Sequence, residues 1–414
     1  MEYGLIGEKL GHSFSKEIHE SIKDYIYELK ELDLESFHKF MEEKAFKAIN
    51  VTIPYKEKVI PYLDYIDPAA KKIGAVNTIV NKKNKLYGYN TDYLGLKSII
   101  LKNKINVQDK NILILGNGGT AKTATQVLKD LKCKNIKYAV LEPTKDDYSF
   151  ENCYEYQEAE VIVNATPVGM YPNSYGKLID INKFNKLEAV VDVIYNPLKT
   201  PIILDAIKKE LKYATGLYML VAQAVYAADI FTDTKSDYEV INDVYKKIIN
   251  QKKNIVLIGM PSSGKTTIGK KLSKLLEKEF IDTDILVEEK LGMPIKDFLN
   301  SKTEQEFRKI ETEVVMEVSK LNNVVIATGG GVIKNNKNID ILKSNGIVLF
   351  IDRKLKNLIV TDSRPLSNDI DKLTKLYEER YPIYLSSCDL HVKNNYRLND
   401  TIQFIIKEVT KWNY

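Results

Sequence analysis

Short apolar runs alternate with longer amphipathic stretches along the chain. Ile112–Leu115, Ala159–Val163, Ala189–Val193, Ile255–Ile258, Val324–Ala327 and Val348–Ile351 are brief and rich in β-branched residues, and several are followed by Gly or Asp. Runs of that length and composition predict buried parallel strands. The stretches between them, such as Ala121–Leu131 and Thr266–Glu277, carry apolar residues at helical spacing. The alternation predicts an α/β architecture, with helices covering mostly parallel sheets. No segment repeats internally. The pattern breaks at Asn250-Gln-Lys-Lys-Asn254, just before a new strand, which predicts a linker between Ile249 and Asn254.

Length and composition narrow the picture without deciding it. At about 100–200 residues per domain, 414 residues allow two to four domains. Apolar residues make up 44% of the chain, enough for ordinary cores. Sixty-one basic residues face 56 acidic ones, and a net charge of +5 on so long a chain makes no case for nucleic acid. Cys133, Cys153 and Cys388 lie far apart and fit neither a zinc spacing nor a disulfide framework, so a reducing cytoplasm is expected. The first residues have no basic segment leading into an apolar one, and no apolar run reaches the roughly 18 residues of a membrane span. Neither a signal peptide nor a membrane partner is expected.

In the C-terminal half, Ile255–Ile258 runs into Gly259-Met-Pro-Ser-Ser-Gly264-Lys265-Thr266 and then a helical pattern. Strand, G-x-x-x-x-G-K-T loop and helix together form a phosphate cradle. Its glycines turn backbone N–H groups inward, and the helix start adds partial positive charge. Lys265 is expected at the β- and γ-phosphates and the Thr266 hydroxyl on Mg²⁺. Asp282-Thr-Asp284 follows a predicted strand, Glu279–Asp282, and an extended chain would send both carboxylates to one face. One could join the metal shell while the other accepts the proton of an incoming hydroxyl. Arg308 and Glu311 share one face of a predicted helix. Thr328-Gly-Gly-Gly331 lets backbone approach a ligand, Arg364-Pro-Leu366 lies in a polar segment, and Arg380 precedes Tyr381-Pro382. From about Asn254 to Tyr414 these residues resemble shikimate kinase. The resemblance implies that Gly259, Ser262, Ser263, Gly264, Lys265, Thr266 and Thr267 hold ATP, and that Thr266 and Asp282 hold Mg²⁺. It implies that Asp284 holds the substrate hydroxyls and serves the catalytic step. Arg308, Gly330 and Arg380 would hold the carboxylate and ring, and Arg364 would close over the transferred phosphate. Many family members carry a further arginine upstream of the Arg-Pro-Leu segment, where this chain reads Asn357-Leu-Ile-Val-Thr-Asp-Ser363.

The N-terminal half has its own glycine turn. Ile112–Leu115 leads into Gly116-Asn-Gly118-Gly119-Thr120-Ala121, a variant of the dinucleotide fingerprint. Around it, in order, stand Gly11-His-Ser13-Phe-Ser15, Asn50-Val-Thr52-Ile-Pro-Tyr-Lys56, Gly74-Ala-Val-Asn77-Thr78 and Asn90-Thr-Asp92. Asn164-Ala-Thr166, Asp192-Val-Ile-Tyr195-Asn-Pro and Gly216-Leu-Tyr-Met219-Leu-Val-Ala-Gln223 follow. Taken alone, Ser13 could simply cap a helix. The ordered series resembles shikimate dehydrogenase from about Tyr3 to Ile249. The resemblance implies that Lys56 and Asp92 form the catalytic pair, and that Ser13, Ser15, Thr52, Asn77, Tyr195 and Gln223 hold the ring's hydroxyls and carboxylate. Gly116, Gly118, Gly119, Thr120, Ala121 and Gly216 would hold NADP(H). His12 and His19 are expected to pack or face solvent. Family members usually place an arginine after the second strand of the dinucleotide domain, to meet the 2′-phosphate of NADP. Here the predicted strand Ile136–Leu141 leads to Glu142-Pro-Thr-Lys145. Glu142 stands where an acidic group commonly bonds the ribose of NAD, so appreciable NAD(H) use is expected. A strand ending one residue earlier would aim Glu142 at solvent.

These readings set an expected layout. A substrate domain, residues 1–94, is completed by helices in 216–249. A Rossmann dinucleotide domain occupies 95–215, residues 250–253 form the linker, and 254–414 form a P-loop domain like those of nucleoside monophosphate kinases. The resemblances imply a cytoplasmic bifunctional enzyme of aromatic amino-acid synthesis, dimeric in some arrangements. It would reduce 3-dehydroshikimate to shikimate with NADPH and phosphorylate shikimate with ATP. Its partners would be small molecules, without nucleic acid or membrane. Two alternatives keep the folds: a broader quinate/shikimate dehydrogenase using NAD, and a non-catalytic nucleotide sensor. Intact Lys56, Asp92, Lys265, Asp282 and Asp284 argue against the sensor.

Overall fold

The computed structural model describes residues 1–11, 13–358, 370–395 and 397–412. It forms two compact units, one of Met1–Asn196 with Thr200–Ile248, the other of Pro197–Lys199 with Ile249–Tyr414.

The first unit contains two six-stranded sheets. The first is built from β1 (Tyr3–Gly7), β2 (Tyr27–Glu31), β3 (Ala48–Val51), β4 (Tyr65–Ile66), β5 (Thr78–Lys82) and β6 (Lys85–Tyr89), in the order β2-β1-β3-β5-β6-β4. β5 alone runs antiparallel to both its neighbours, β3 and β6. β3 is buried at every residue, so Asn50 must find its hydrogen bonds inside the protein. The helix Gly216–Thr232 covers this sheet's active-site end and packs on the helix Thr91–Lys102. It buries thirteen of its seventeen residues, among them Leu217, Val221 and Val225, each worth roughly 1.5–3 kcal/mol when withdrawn from water.

The second sheet is wholly parallel: β7 (Asn111–Leu115), β8 (Asn135–Val140), β9 (Tyr148–Ser149), β10 (Val161–Asn164), β11 (Ala189–Asp192) and β12 (Lys212–Ala214). The order β9-β8-β7-β10-β11-β12 is the doubly wound 3-2-1-4-5-6 arrangement, whose ligand crevice opens beyond the ends of the first and fourth strands. Here those ends are Leu115 and Asn164. The predicted strand after the glycine turn stops at Val140 rather than Leu141. Leu141 is 86% exposed and Glu142 is exposed beyond it, because a leucine with no core to enter cannot hold the strand.

The second unit has five parallel strands, β13 (Asn254–Ile258), β14 (Glu279–Asp282), β15 (Val324–Ala327), β16 (Gly346–Asp352) and β17 (Leu390–Lys393), in the order β14-β15-β13-β16-β17. Ile255, Leu257, Val325, Ile347, Leu349 and Ile351 build its core with Ile268, Leu272, Ile402 and Ile405 from the covering helices. In the later part of the chain the units divide between Ile248 and Ile249, and 250–253 is not a free linker. The helix Tyr238–Lys252 runs to within one residue of β13. Gln and Lys are good helix formers, and Lys253 is buried, with its ammonium on the carbonyls of Val409 and Trp412.

Candidate active sites

In the first unit, all eight residues read from the sequence as catalytic or substrate-binding line one cavity of about 370 Å³: Ser13, Ser15, Thr52, Lys56, Asn77, Asp92, Tyr195 and Gln223. Lys56 Nζ lies 2.6 Å from Asp92 Oδ2, and both side chains are largely withdrawn from solvent. Ser13 and Ser15 are linked through their hydroxyls at 3.0 Å, and neither caps the helix Ser15–Ile22 in the usual manner. Buried amides and hydroxyls hold this frame. Asn77 Oδ1 accepts from the N–H of Thr91, the first residue of the helix that carries Asp92. The Thr91 hydroxyl reaches Gln223 Oε1. Asn50 donates to the Asn77 carbonyl and to Thr78, and accepts from Tyr27. Asn50 and Thr91 escape a sequence reading because their role is to set the attitude of other residues. Met170, Tyr171, Met219 and Leu220 add wall surface, and of these Tyr171 lies outside every motif. His19 is buried and stacked on Tyr27, 4.0 Å between ring centroids. Burial pushes its imidazole down to about 3, with Asn50 opposing, so it packs as a neutral ring. His12 lies outside the described residues.

The cofactor side opens from the same cavity through Thr120 and Gly216. Gly116 has a φ of +93°, and a Cβ there would press on the Thr166 methyl. Gly118 occupies the N-cap of the helix Gly119–Asp130, which has no side-chain cap, and Ala121 is buried in its first turn. A first turn with unclaimed N–H groups favours pyrophosphate. A side chain at Gly216 would overlap the Val193 carbonyl, so glycine there lets the Tyr195 segment close on the cavity. Glu142 sits in an exposed turn two residues beyond β8.

In the second unit, Gly259, Ser262 and Gly264 all take positive φ, at +148°, +64° and +97°. That wraps the loop around the start of the helix Lys265–Leu275. Lys265 Nζ donates to the carbonyls of Gly259 and Met260, and Ser263 is buried beneath the loop. The Thr266 hydroxyl donates to Asp282 Oδ2 at 2.9 Å. One expectation needs correction. β14 is Glu279–Asp282 as predicted, but the chain does not stay extended to Asp284: the Asp282 carboxylate accepts from the N–H of Asp284 and caps the helix Thr283–Leu291. Aspartate is a favoured N-cap, so the chain turns helical at once. Even so, both carboxylates line the same cavity of about 630 Å³, with Lys265, Thr266, Arg308, Glu311, Gly329, Gly330, Gly331 and Arg380.

The glycine triplet has a steric reason. A Cβ at Gly329 would meet Asp284 Oδ1, one at Gly331 would overlap the Arg308 guanidinium, and one at Gly330 would press on Pro261. Arg308 Nη1 donates to both Glu311 oxygens at 3.0 and 2.9 Å, and its far side donates to Glu304. Burial pushes the Glu311 carboxyl up, against the pull of the Arg308 guanidinium. Arg380 is 2% exposed and donates to the Gly330 carbonyl, and its Nε is a buried donor without a protein partner. The helix Ile370–Ser387 that carries it continues through Pro382. Arg364 lies outside the described residues. A second cavity of about 270 Å³, unannounced by any motif, adjoins the phosphate loop and is lined by Gly264, Thr267, Arg353, Asn357, Asn394 and Leu398.

The first unit thus has the fold and site of a dinucleotide-dependent oxidoreductase, and the second those of a P-loop kinase for a small anionic acceptor. The chain belongs to the shikimate dehydrogenase family, and it carries a shikimate kinase domain after that region. The family model described as the shikimate dehydrogenase substrate binding domain matches residues 5–79, and that described as shikimate kinase matches 261–411. A shikimate dehydrogenase (NADP(+)) of Clostridium perfringens is 39% identical over 264 residues, 59% of this chain and 97% of the relative. A chorismate mutase/shikimate 5-dehydrogenase fusion protein from Clostridium acetobutylicum superposes with a TM-score of 0.56 at 36% identity, covering 59% of this chain and 96% of the other. The shikimate 5-dehydrogenase of Thermus thermophilus, in complex with NADP(H) and shikimate, gives 0.54 at 27% identity, over 60% and 99%.

Proposed function

We propose that the chain carries out two consecutive steps on one ring, reducing 3-dehydroshikimate to shikimate and then phosphorylating the shikimate 3-hydroxyl with ATP. The observation that carries this reading is that two cavities, each complete within its own unit, gather a proton-donor pair in one case and a phosphate loop with acceptor-binding arginines in the other.

In the first site the Lys56 ammonium donates a proton to the carbonyl oxygen that becomes the new hydroxyl, and Asp92 holds it in line at 2.6 Å. Bound NADPH supplies the hydride. Ser13 and Ser15 receive the substrate carboxylate, while Thr52, Asn77, Tyr195 and Gln223 fix the ring hydroxyls. In the second site Arg308 and Arg380 receive the carboxylate, and the buried Arg380 Nε, which has no partner among the described residues, is a donor an anion would satisfy. Asp284 accepts the proton of the attacking hydroxyl. The oxygens of Thr266 and Asp282 suit Mg²⁺, a hard cation that takes one or two protein ligands beside phosphates and water. It would offset charge on the transferred phosphoryl group. The cavity beside the loop, with Arg353 and three asparagines around it, suits a nucleoside base.

A coupled assay from 3-dehydroshikimate, NADPH and ATP to shikimate 3-phosphate tests the reading. Lys265→Ala should abolish phosphate transfer and leave hydride transfer near normal, and Lys56→Ala should do the reverse. If either change silenced both activities in folded protein, two independent sites would be the wrong description.

A further inference from the structure

The Asp-Val-Ile-Tyr segment that closes β11 contains a carboxylate with no part in the chemistry above. Asp192 is fully buried at the carboxyl end of β11. Its Oδ1 accepts two hydrogen bonds, from the Ile194 N–H at 3.0 Å and from Asn164 Nδ2 at 3.1 Å. Its Oδ2 accepts from the Thr200 hydroxyl, at the start of the helix Pro201–Lys208. The two bonds on Oδ1 lead to different ligands. Ile194 immediately precedes Tyr195, which lines the substrate cavity and packs on Phe14, with 5.4 Å between ring centroids. Asn164 ends β10, and its own Oδ1 accepts from the N–H and the hydroxyl of Thr166. The Thr166 methyl backs Gly116 in the dinucleotide turn. One buried oxygen is therefore shared by the substrate wall and the cofactor crevice.

We propose that Asp192 is a positioning residue that touches neither ligand and registers Tyr195 against the Thr166–Gly116 crevice, so that substrate and dinucleotide are held in one geometry. The assignment rests on the dehydrogenase reading of this unit. Hydride transfer is sensitive to the spacing of its two partners, and a hub shared by both binding walls fixes that spacing without occupying the cavity. The hydrogen-bond pattern also says which substitution should be tolerated. An asparagine at 192 keeps an oxygen for the Ile194 and Asn164 donors and turns its amide toward the Thr200 oxygen. Alanine satisfies none of the three.

The experiment is steady-state kinetics of shikimate oxidation with NADP on the full chain, with kinase turnover of the same preparation as the measure of intact protein. Oxidation by the wild-type chain tests the functional reading itself, and the variants test the role of Asp192. In Asp192→Ala, KM for shikimate and KM for NADP should both rise about tenfold or more, the scale of one lost buried hydrogen bond. Asp192→Asn should restore both to within about twofold, on the same scale. Asn164→Ala severs the cofactor arm alone, and should raise KM for NADP about tenfold while leaving that for shikimate within about twofold. Asp192→Ala with both KM values unchanged and only its melting temperature lowered would reduce the residue to a structural one and overturn the proposal. So would an asparagine variant as impaired as alanine. Should Asp192→Ala lose the dehydrogenase fold while the kinase persists, Asn164→Ala decides: equal shifts in both KM values overturn the shared-oxygen model, and a shift confined to NADP supports it.

Discussion

At the scale of single residues, the sites are governed by what a side chain leans on. Arg308 keeps its place on the cavity wall because Glu304 and Glu311 hold it from two directions and because Gly331 leaves room for its guanidinium. Gly331→Ala should therefore displace the arginine. The expected result is a rise of roughly tenfold to a hundredfold in the kinase KM for shikimate, the scale of a lost charge-assisted hydrogen bond, with KM for ATP unchanged. An equal loss toward both substrates would mean that the loop itself had collapsed. Asp192 offers a test of a different kind. Burial pushes its carboxyl up to about 6, opposed by the hydrogen bonds from Thr200, Ile194 and Asn164. A carboxyl raised in the folded state retains a proton that the unfolded chain releases, so stability falls as pH rises from about 4 to 6 and is level above. Asp192→Asn has no such slope. Relative to wild type the variant should gain stability across that window, by up to about 3 kcal/mol. Thermal unfolding at pH 4.5 and 7.5 would expose an error as an asparagine variant no better placed at the higher pH than at the lower.

At the scale of elements, strands and their ends carry the chemistry, and the sequence reports strands better than ends. All six apolar runs become strands within two residues, and the glycine turns fall between strand and helix as their patterns require. Motif spacing also brings eight scattered residues to one cavity, and Lys265, Thr266, Asp282, Asp284, Arg308, Gly330 and Arg380 to another. Two things were illegible. The reach of a strand depends on whether the next apolar residue finds a core, and Leu141 does not. The point where a strand yields to a helix depends on capping, and Asp282 caps earlier than a purely extended reading of Asp282-Thr-Asp284 allows. The buried network of Asn50, Thr78 and Thr91 has no signature because polar residues in strands and caps look alike until they are seen to meet. The end of β8 is where cofactor choice can be tested. Glu142 lies in the turn that follows it, and no arginine occurs between Val140 and Asp147. The strand's early end leaves Glu142 exposed; only if its carboxylate turned back toward the ribose would it repel the 2′-phosphate of NADP, by about 1 kcal/mol at ~4 Å in water and more where solvent is excluded. Glu142→Arg should shift the ratio of kcat/KM values toward NADP. A wild-type preference for NADP beyond about a hundredfold, roughly 2.7 kcal/mol, would mean that Glu142 does not face the ribose.

At the scale of the whole molecule, the described residues that line each cavity all belong to one unit, and each unit has its own sheets and core. The two units share a continuous backbone, and the second takes in Pro197–Lys199 from within the first half of the chain. The residues just before β13 are closely fitted to the body of the second unit. Lys253 feeds its ammonium to the last carbonyls of the C-terminal helix, and Lys278 donates to the carbonyls of Asn250 and Lys253 and to Asn323 Oδ1. Both amines are pushed down to about 8 by burial. This governs where the gene could be divided. A kinase begun at Asn254, the first residue of β13, would lack Lys253 and would strip Lys278 of two of its three acceptors. Each lost contact to a charged group is worth about 1.5–3 kcal/mol. A kinase begun before Ile249 keeps both lysines satisfied and should melt several degrees higher; equal melting temperatures would show that the residues just before β13 are dispensable padding. Natural or engineered fission of the chain is thereby steered upstream, into the helix Tyr238–Lys252, and the dehydrogenase partner would surrender that helix's last turn.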